Sequence, residues 1–253
     1  MKKITFLFIL TFFSAVCLSV NTSAATEPES GFYGKANFYI FYPGVMGISS
    51  KKIGATVVIQ NEDGDTVKTT KTNEDGFYST GYLQNGKYDI TVTYNGSDTN
   101  YSLTKKRIIE DGQSAMVDFL LTSETTRNYI KEYYFDPIPT NFIDDTEYYQ
   151  VWNKNLVDVD ENKEWTINFN QPVNPDSINQ DTIYLTSFWW QDRPKLTFEF
   201  LNNNHAVKVK THFSDSHLDY PGLYHLNITK EIQSISGTPL NNSIIMDFNL
   251  NVQ

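Results

Sequence analysis

The side chains best suited to hold a ligand in this sequence are aromatic, which make up 15% of the chain. Phe188, Trp189 and Trp190 are consecutive and lead into Gln191-Asp192-Arg193-Pro194. Successive side chains of a strand point to opposite faces, so three adjacent rings cannot all enter one core. At least one is expected on an outer face or in a loop, where a flat indole suits a sugar ring or a partner protein. The competing expectation puts one Trp in a core and the other on a domain edge or against a first domain. Tyr148-Tyr149 invites the same argument, so Trp189, Trp190, Tyr148 and Tyr149 form the candidate ligand-contact set. Phe38 to Tyr42 is also aromatic, but its pattern suits an ordinary strand.

Acidic residues come in short runs: Glu62-Asp63, Glu74-Asp75, Asp144-Asp145, and Asp158, Asp160, Glu161. A calcium loop brings oxygen ligands at alternate positions to about 2.4 Å, with a sharp glycine turn. Asn61, Asp63 and Asp65 alternate, yet Gly64 falls inside the run and no bidentate Glu follows, which fits a solvated turn. Asp158 and Asp160 are better placed, near an expected domain junction, and a weak calcium site there is left open. The four histidines, His205, His212, His217 and His225, form no His-Glu-x-x-His pattern. His212 and His217 flank Asp215 in what reads as an exposed loop. The sequence has no Gly-x-Ser-x-Gly elbow, phosphate-binding glycine loop or dinucleotide fingerprint. No catalytic residue, resident metal or cofactor is therefore expected. A hydrolase using two carboxylates about 5–10 Å apart is the third-ranked alternative, because such a pair is set by the fold.

The elements that position these residues read as strands. Tyr88, Ile90, Val92 and Tyr94 alternate with polar residues, as do Trp165, Ile167 and Phe169. Ile244, Met246, Phe248, Leu250 and Val252 repeat the pattern, with Ile245 as its one exception. Such alternation puts one face on a core and one in water. Turn signals punctuate it at Asp63-Gly64, Asp75-Gly76, Asn85-Gly86, Asn95-Gly96, Asp111-Gly112, Pro221-Gly222 and Ser236-Gly237. Helical period is confined to Thr125–Tyr134 and to Pro175–Gln180, where Asp176 or Ser177 is placed to cap a single turn. The expected class is all-β, two β-sandwich domains in tandem.

The chain opens on Lys2 and Lys3, an apolar run from Ile4 to Val20, and the small residues Ser23, Ala24 and Ala25. That is the grammar of a cleavable signal peptide over 1–25. Lipidation at Cys17 is the rival, although Ser14-Ala15-Val16 lacks the Leu and small residue that such a signal wants. Later segments fall short of the roughly 20 apolar residues needed to cross a bilayer, so no transmembrane anchor is expected in the mature chain. Cleavage removes the only cysteine, and with it any disulfide or thiolate. A cysteine-free exported chain of this size fits a bacterium, one with a single membrane. Of 20 basic residues Lys2 and Lys3 also leave, so against 30 acids the formal charge moves from -10 to -12. That sign argues against nucleic acid and against adsorption to anionic membranes or wall polymers.

The remaining residues divide into 31–122, a linker or interface segment over 123–150, and 151–253. Asp136-Pro137-Ile138-Pro139 stiffens the junction, while Tyr129, Ile130, Tyr133, Tyr134 and Phe135 are too aromatic for a free linker.

Two resemblances bear on function. Gly54-Ala55-Thr56-Val57-Val58-Ile59, Asp63-Gly64, Thr72-Asn73-Glu74-Asp75-Gly76-Phe77-Tyr78, Leu83 and Asn85-Gly86-Lys87-Tyr88-Asp89-Ile90-Thr91-Val92 follow in order. This segment resembles the carboxypeptidase regulatory-like domain, a transthyretin-like β-sandwich akin to the B-type repeats of bacterial collagen adhesins. The resemblance implies a stalk, spacer or adhesive element without catalysis. Some adhesin repeats carry a Lys-to-Asn isopeptide bond, and no such triad is placed here. In its turn logic, Asp75-Gly76 reverses the chain and Asn85-Gly86 makes a hairpin into the strand from Tyr88.

The C-terminal half carries Trp152-Asn153, Val157-Asp158, Trp165 through Asn174, Ser177-Ile178-Asn179 and Thr182-Ile183-Tyr184-Leu185. It closes with Tyr224 through Ile228, Ile232 through Leu240 and Met246-Asp247-Phe248. These resemble the bacterial Ig-like domains of surface-layer and secreted Gram-positive proteins, with a strand ending at Pro172 and the next starting at Ile183. Together the resemblances imply a secreted, non-catalytic scaffold or interaction protein of the Gram-positive cell exterior. The expected partner is an extracellular protein or a cell-wall glycan, and the alternative reading is a glycan-binding module using exposed aromatics.

Overall fold

The computed structural model describes residues 30–41, 48–52, 54–96, 100–110, 112–124, 126–128, 144–152, 157–160, 162–187, 194–211 and 222–251. The expected signal peptide and both Trp189 and Trp190 lie outside these residues. The chain is all-β, as its alternation requires.

Strand β1 (Gly31–Phe41) is the spine of the first sheet. Its first half pairs antiparallel with β5 (Phe77–Ser79) and parallel with β8 (Ser114–Met116). Its second half pairs antiparallel with β2 (Ile48–Lys52) and parallel with β9 (Phe119–Leu121). A meander faces it, in the order β4 (Thr66–Lys71), β3 (Thr56–Asn61), β6 (Gly86–Asn95), β7 (Asn100–Ile109). The inward residues Phe32, Ala36, Tyr78 and Phe119 meet Val57, Ile59, Ile90, Val92 and Leu103 in one core. Each large apolar side chain buried there contributes roughly 1.5–3 kcal/mol. Asn85-Gly86 does not make the expected hairpin. β5 belongs to one sheet and β6 to the other, so the chain crosses between layers at that point.

The second sandwich pairs a three-stranded sheet with a larger one. β12 (Glu164–Asn168), β15 (Ala206–Thr211) and β14 (Leu196–Leu201) form the small sheet. Opposite lie β13 (Ile183–Ser187), β16 (Gly222–Ile228) and β17 (Ser243–Asn251), with β11 (Val157–Asp160) parallel to β17. Trp165, Ile167, Val207 and Val209 pack on Ile183, Leu185, Leu226 and Phe248. Trp165 and Phe248 have ring centroids 5.1 Å apart. The β12 strand ends at Asn168, short of Pro172, whose carbonyl accepts from the Ile235 N–H at 2.9 Å. The 3₁₀ turn Pro175–Ser177 is capped by Asn174, not by Asp176 or Ser177, because only Asn174 stands outside the turn with its oxygen aimed at the Asp176 N–H. Asn202, Asn203 and Asn204 turn β14 into β15 with φ of 51°, 53° and 65°, a conformation that Asn tolerates best among residues with a Cβ.

The two larger sheets are one sheet. Strand β10 (Tyr149–Val151) pairs parallel with β7 on one side and parallel with β17 on the other. The order β13-β16-β17-β10-β7-β6-β3-β4 therefore runs unbroken, and β11 adds a ninth strand beside β17. Val151 of β10 and Ile245 of β17 are buried in the core of the first sandwich.

Candidate functional site

Three places gather polar chemistry, and the first lies where β10 begins. On β7 the core-facing positions run Leu103, Lys105, Arg107, Ile109, so two cations enter a largely apolar face. Lys105 and Arg107 are 1% and 7% exposed, which is costly without a counter-charge. Asp145 supplies it. One carboxylate oxygen lies 3.3 Å from Lys105 Nζ, and the other pairs with Arg107 Nη1 and accepts from the Lys106 N–H at 3.0 Å. Neighbouring Asp144 accepts from the Thr104 N–H at 2.6 Å, and the Asp145 N–H donates to the Thr104 carbonyl at 3.0 Å. Burial pushes the Lys105 ammonium down to about 8, with Asp145 opposing the fall and Arg107 adding to it. Burial alone would raise the Asp145 carboxyl, but Arg107 and Lys105 outweigh it and hold it below the ordinary carboxylate range.

Of the expected contact residues, Tyr148 and Tyr149 belong to this same seam. Lys106 Nζ stands 4.8 Å and Lys87 Nζ 5.6 Å from the Tyr148 ring centre, and Lys106 also pairs with Asp89 at 2.8 Å. The Arg107 guanidinium carbon is 5.5 Å from the Tyr149 ring centre. Both rings are half-buried against cations, an attraction worth roughly 0.5–2 kcal/mol each. Burial raises both phenols, Tyr149 the more strongly.

A second cluster lies on the opposite face of β16 and β17 from the second core. His225 faces Asp247 across the ladder, and His225 Nδ1 is 2.6 Å from the Asp247 carboxylate, both largely buried. Asp118, on the chain between β8 and β9, takes the Lys35 N–H at 2.7 Å. Burial pushes the Asp118 carboxyl up to about 6, the Lys35 N–H opposing and the charge of nearby Asp247 adding to the rise. In sequence His225 stood out only as one of four histidines without a metal-binding pattern. His225 and Asn227 alternate with the core residues of β16 and are themselves buried.

The third place is a cleft of about 390 Å³ beside the seam. Glu110 and Gln150 form one wall, and residues of 169–173 and 232–244 form the other. Gln150 Nε2 donates to Glu110 Oε2 at 2.7 Å. Ser234 and Thr238, which line it, flank the turn at Ser236-Gly237, with Gly237 at φ 83°.

Asp158 and Asp160 lie on β11 and are spent locally. Asn249 Nδ2 donates to Asp158 Oδ1 at 3.2 Å, and Asp160 accepts from the Asn162 N–H at 2.9 Å in a turn. Among the described residues no group of three His, Cys, Asp or Glu is placed to hold a metal ion. His205 is exposed, while His212 and His217 lie outside the described residues. No helix among the described residues is long and apolar enough to cross a membrane.

The carboxypeptidase regulatory-like domain family matches residues 51–122. This is a non-catalytic regulatory Ig-like module, and the match covers β3 to β9 but leaves out β1, which the first sheet is built around. No curated protein matches the chain. Among solved structures, that of mouse clustered PcdhgC3 EC1-3 aligns at 6% identity and a TM-score of 0.21. The alignment covers 77% of this chain and 54% of that one, so this chain spans about half its length. What the fold defines is thus a two-sandwich β-chain whose first module is similar, over residues 51–122, to the carboxypeptidase regulatory-like domain.

Proposed function

We propose that this chain is a secreted, non-catalytic scaffold of the Gram-positive cell exterior, presenting two β-sandwiches as one stiff unit. The observation that carries the proposal is β10, hydrogen-bonded at once to β7 and β17. A flexible tether lets neighbouring modules reorient, and inter-domain motion is the usual expectation for small polar interfaces. A strand shared by both modules replaces that freedom with ladder hydrogen bonds and shared core residues. The charge of -12 expected after signal removal suits a protein kept soluble outside the cell. The surface-layer kinship of the second module belongs to the same proposal, resting on the residues from Trp152 to Phe248.

Two measurements test it. Expressed with a C-terminal tag in a Gram-positive host, the chain is expected in medium or wall fractions with an N-terminus near Thr26. Cytosolic retention with Met1 intact overturns the export. Calorimetry of the purified protein is expected to show one cooperative transition with equal calorimetric and van't Hoff enthalpies. Two separable transitions overturn the stiff unit.

A further inference from the structure

We propose that the cleft between Glu110-Gln150 and the 232–244 segment binds a neutral oligosaccharide, an assignment independent of the scaffold reading. The argument rests on what lines it. Gln150, Asn170, Gln171, Gln233, Asn241 and Asn242 bring six side-chain amides to one cavity. Each amide both donates and accepts, which is the pairing that a sugar hydroxyl offers in return. Gln150 is engaged with Glu110, whereas the side-chain amides of the other five make no hydrogen bond to another described residue.

The floor is apolar. Val173 and Ile232 are buried beneath it, and Phe169, Leu240 and Ile244 are half-buried at its surface. Such a floor accepts the C–H face of a pyranose while the amides take its hydroxyls. At about 390 Å³ the cavity falls within the range of small-ligand pockets.

Other ligand classes fit less well. Among the described residues no Lys, Arg or His lines the cleft, so a phosphate or carboxylate finds no counter-charge there. Glu110 is the single carboxylate among the described lining residues, too few for a hard cation. A wholly apolar ligand would strand the amides without hydrogen-bond partners. An extended peptide would seek an open strand edge, but β10 and β17 are each paired on both sides. What remains is a ligand that is uncharged, rich in hydroxyls and flat on one face.

The test titrates the purified protein with four neutral hexasaccharides, chitohexaose, cellohexaose, maltohexaose and xylohexaose, by calorimetry and by amide chemical shifts. One of them is expected to bind, with shifts centred on 232–244 and on Gln150. The double variant Asn170→Ala/Gln233→Ala is expected to weaken that binding about tenfold or more, a loss of ~1.4 kcal/mol, without changing the melting temperature. Both side chains are exposed, so folding survives their loss. Absence of binding by all four sugars at millimolar concentration overturns the proposal. So does binding that survives the double variant but is lost in Trp189→Ala/Trp190→Ala, or a cleft that takes an unmodified peptide and no sugar.

Discussion

Asp145, from the segment that joins the two sandwiches, is seated 3.3 Å from Lys105 Nζ inside the first. The same carboxylate also holds Arg107, so one acid compensates two cations on the core-facing side of β7. The pairing fixes the entry of β10, because Asp145 lies four residues before Tyr149 and its neighbour Asp144 is tied to the Thr104 N–H.

Asp145→Ala leaves two buried cations facing each other. Removing one partner of a buried ionic group costs about 3–5 kcal/mol. The melting temperature is expected to fall by about 6–20 °C, at roughly 2–4 °C per kcal/mol for a chain of this size, as read by circular dichroism. A fall of only a degree or two would show that the ion group is solvated.

Lys105→Met is expected to behave differently. It removes the cation that burial already disfavours while Asp145 keeps Arg107. The sign follows from linkage. Lys105 has its folded-state pKa lowered to about 8 from 10.5, so between those values the unfolded chain binds the proton that the folded chain has lost. Stability contributed by this group therefore rises with pH across that window. Urea denaturation at pH 7.5 and 10 is expected to show that rise in the natural sequence and its absence in Lys105→Met. Asp145 acts at the other end. Its lowered pKa stabilises the fold above about pH 4, the ordinary carboxylate value, and that contribution is lost as pH falls through the folded-state value.

Asp118 works in the opposite sense. Its folded-state pKa is raised from 3.8 to about 6, so between these values the folded chain holds a proton that the unfolded chain has released. Stability therefore falls as pH rises from 4 to 6 and stays reduced above. Asp118→Asn keeps an oxygen for the Lys35 N–H and removes the ionisation. It is expected to leave stability near pH 4 unchanged and to raise it at pH 7 by about 2 kcal/mol, allowing for the partial exposure of the residue. Equal stability of the two proteins at pH 7 would contradict this.

Gly34 marks a close backbone approach in the first sheet. A Cβ there would stand 2.2 Å from the Val117 carbonyl oxygen, whereas one at Gly54 meets nothing within 4 Å. Val117 cannot retreat, since its N–H donates to the Tyr33 carbonyl at 2.8 Å and its carbonyl accepts from the buried Tyr78 hydroxyl at 2.7 Å. Gly34→Ala is expected to cost at least the roughly 1–3 kcal/mol typical of overpacking, and Gly54→Ala close to nothing, in matched urea denaturations.

The alternation of Tyr88 to Tyr94 and of Trp165 to Phe169 was readable because one face of each strand meets a core and the periodicity of two records it. The turns at Asp63-Gly64, Asp75-Gly76 and Ser236-Gly237 were readable for a similar local reason, each glycine standing at positive φ. The seam was not readable. Tyr149–Val151 is three residues long, too short for a period, and its partners on β7 and β17 are distant in sequence. The burial of Lys105 and Arg107 left no local signal, because their compensation comes from Asp145, some 40 residues away. The cleft was equally hidden, since its amides are contributed by β10 and by separate loops and carry no spacing signature. One local clue did exist, in the departure of Ile245 from the pattern of β17.

Ile245 occupies the face of β17 that also carries Ser243, Asp247 and Asn249, and it is apolar because that stretch is covered by the first sandwich. It is 6% exposed and pairs with Val151, and its carbonyl accepts from the Trp152 N–H at 2.9 Å. A residue of the second module thus completes the core of the first. Ile245→Ala is expected to cost about 2–5 kcal/mol, as truncations of buried Ile do, and hydrogen exchange shows where the cost falls. If the two sandwiches unfold as one unit, amides of β7 around Leu103–Ile109 lose protection together with those of β17, although the substituted residue lies in β17 alone. Loss confined to β17 would mean that β10 does not couple the modules energetically, and the stiff-scaffold proposal would fail with it.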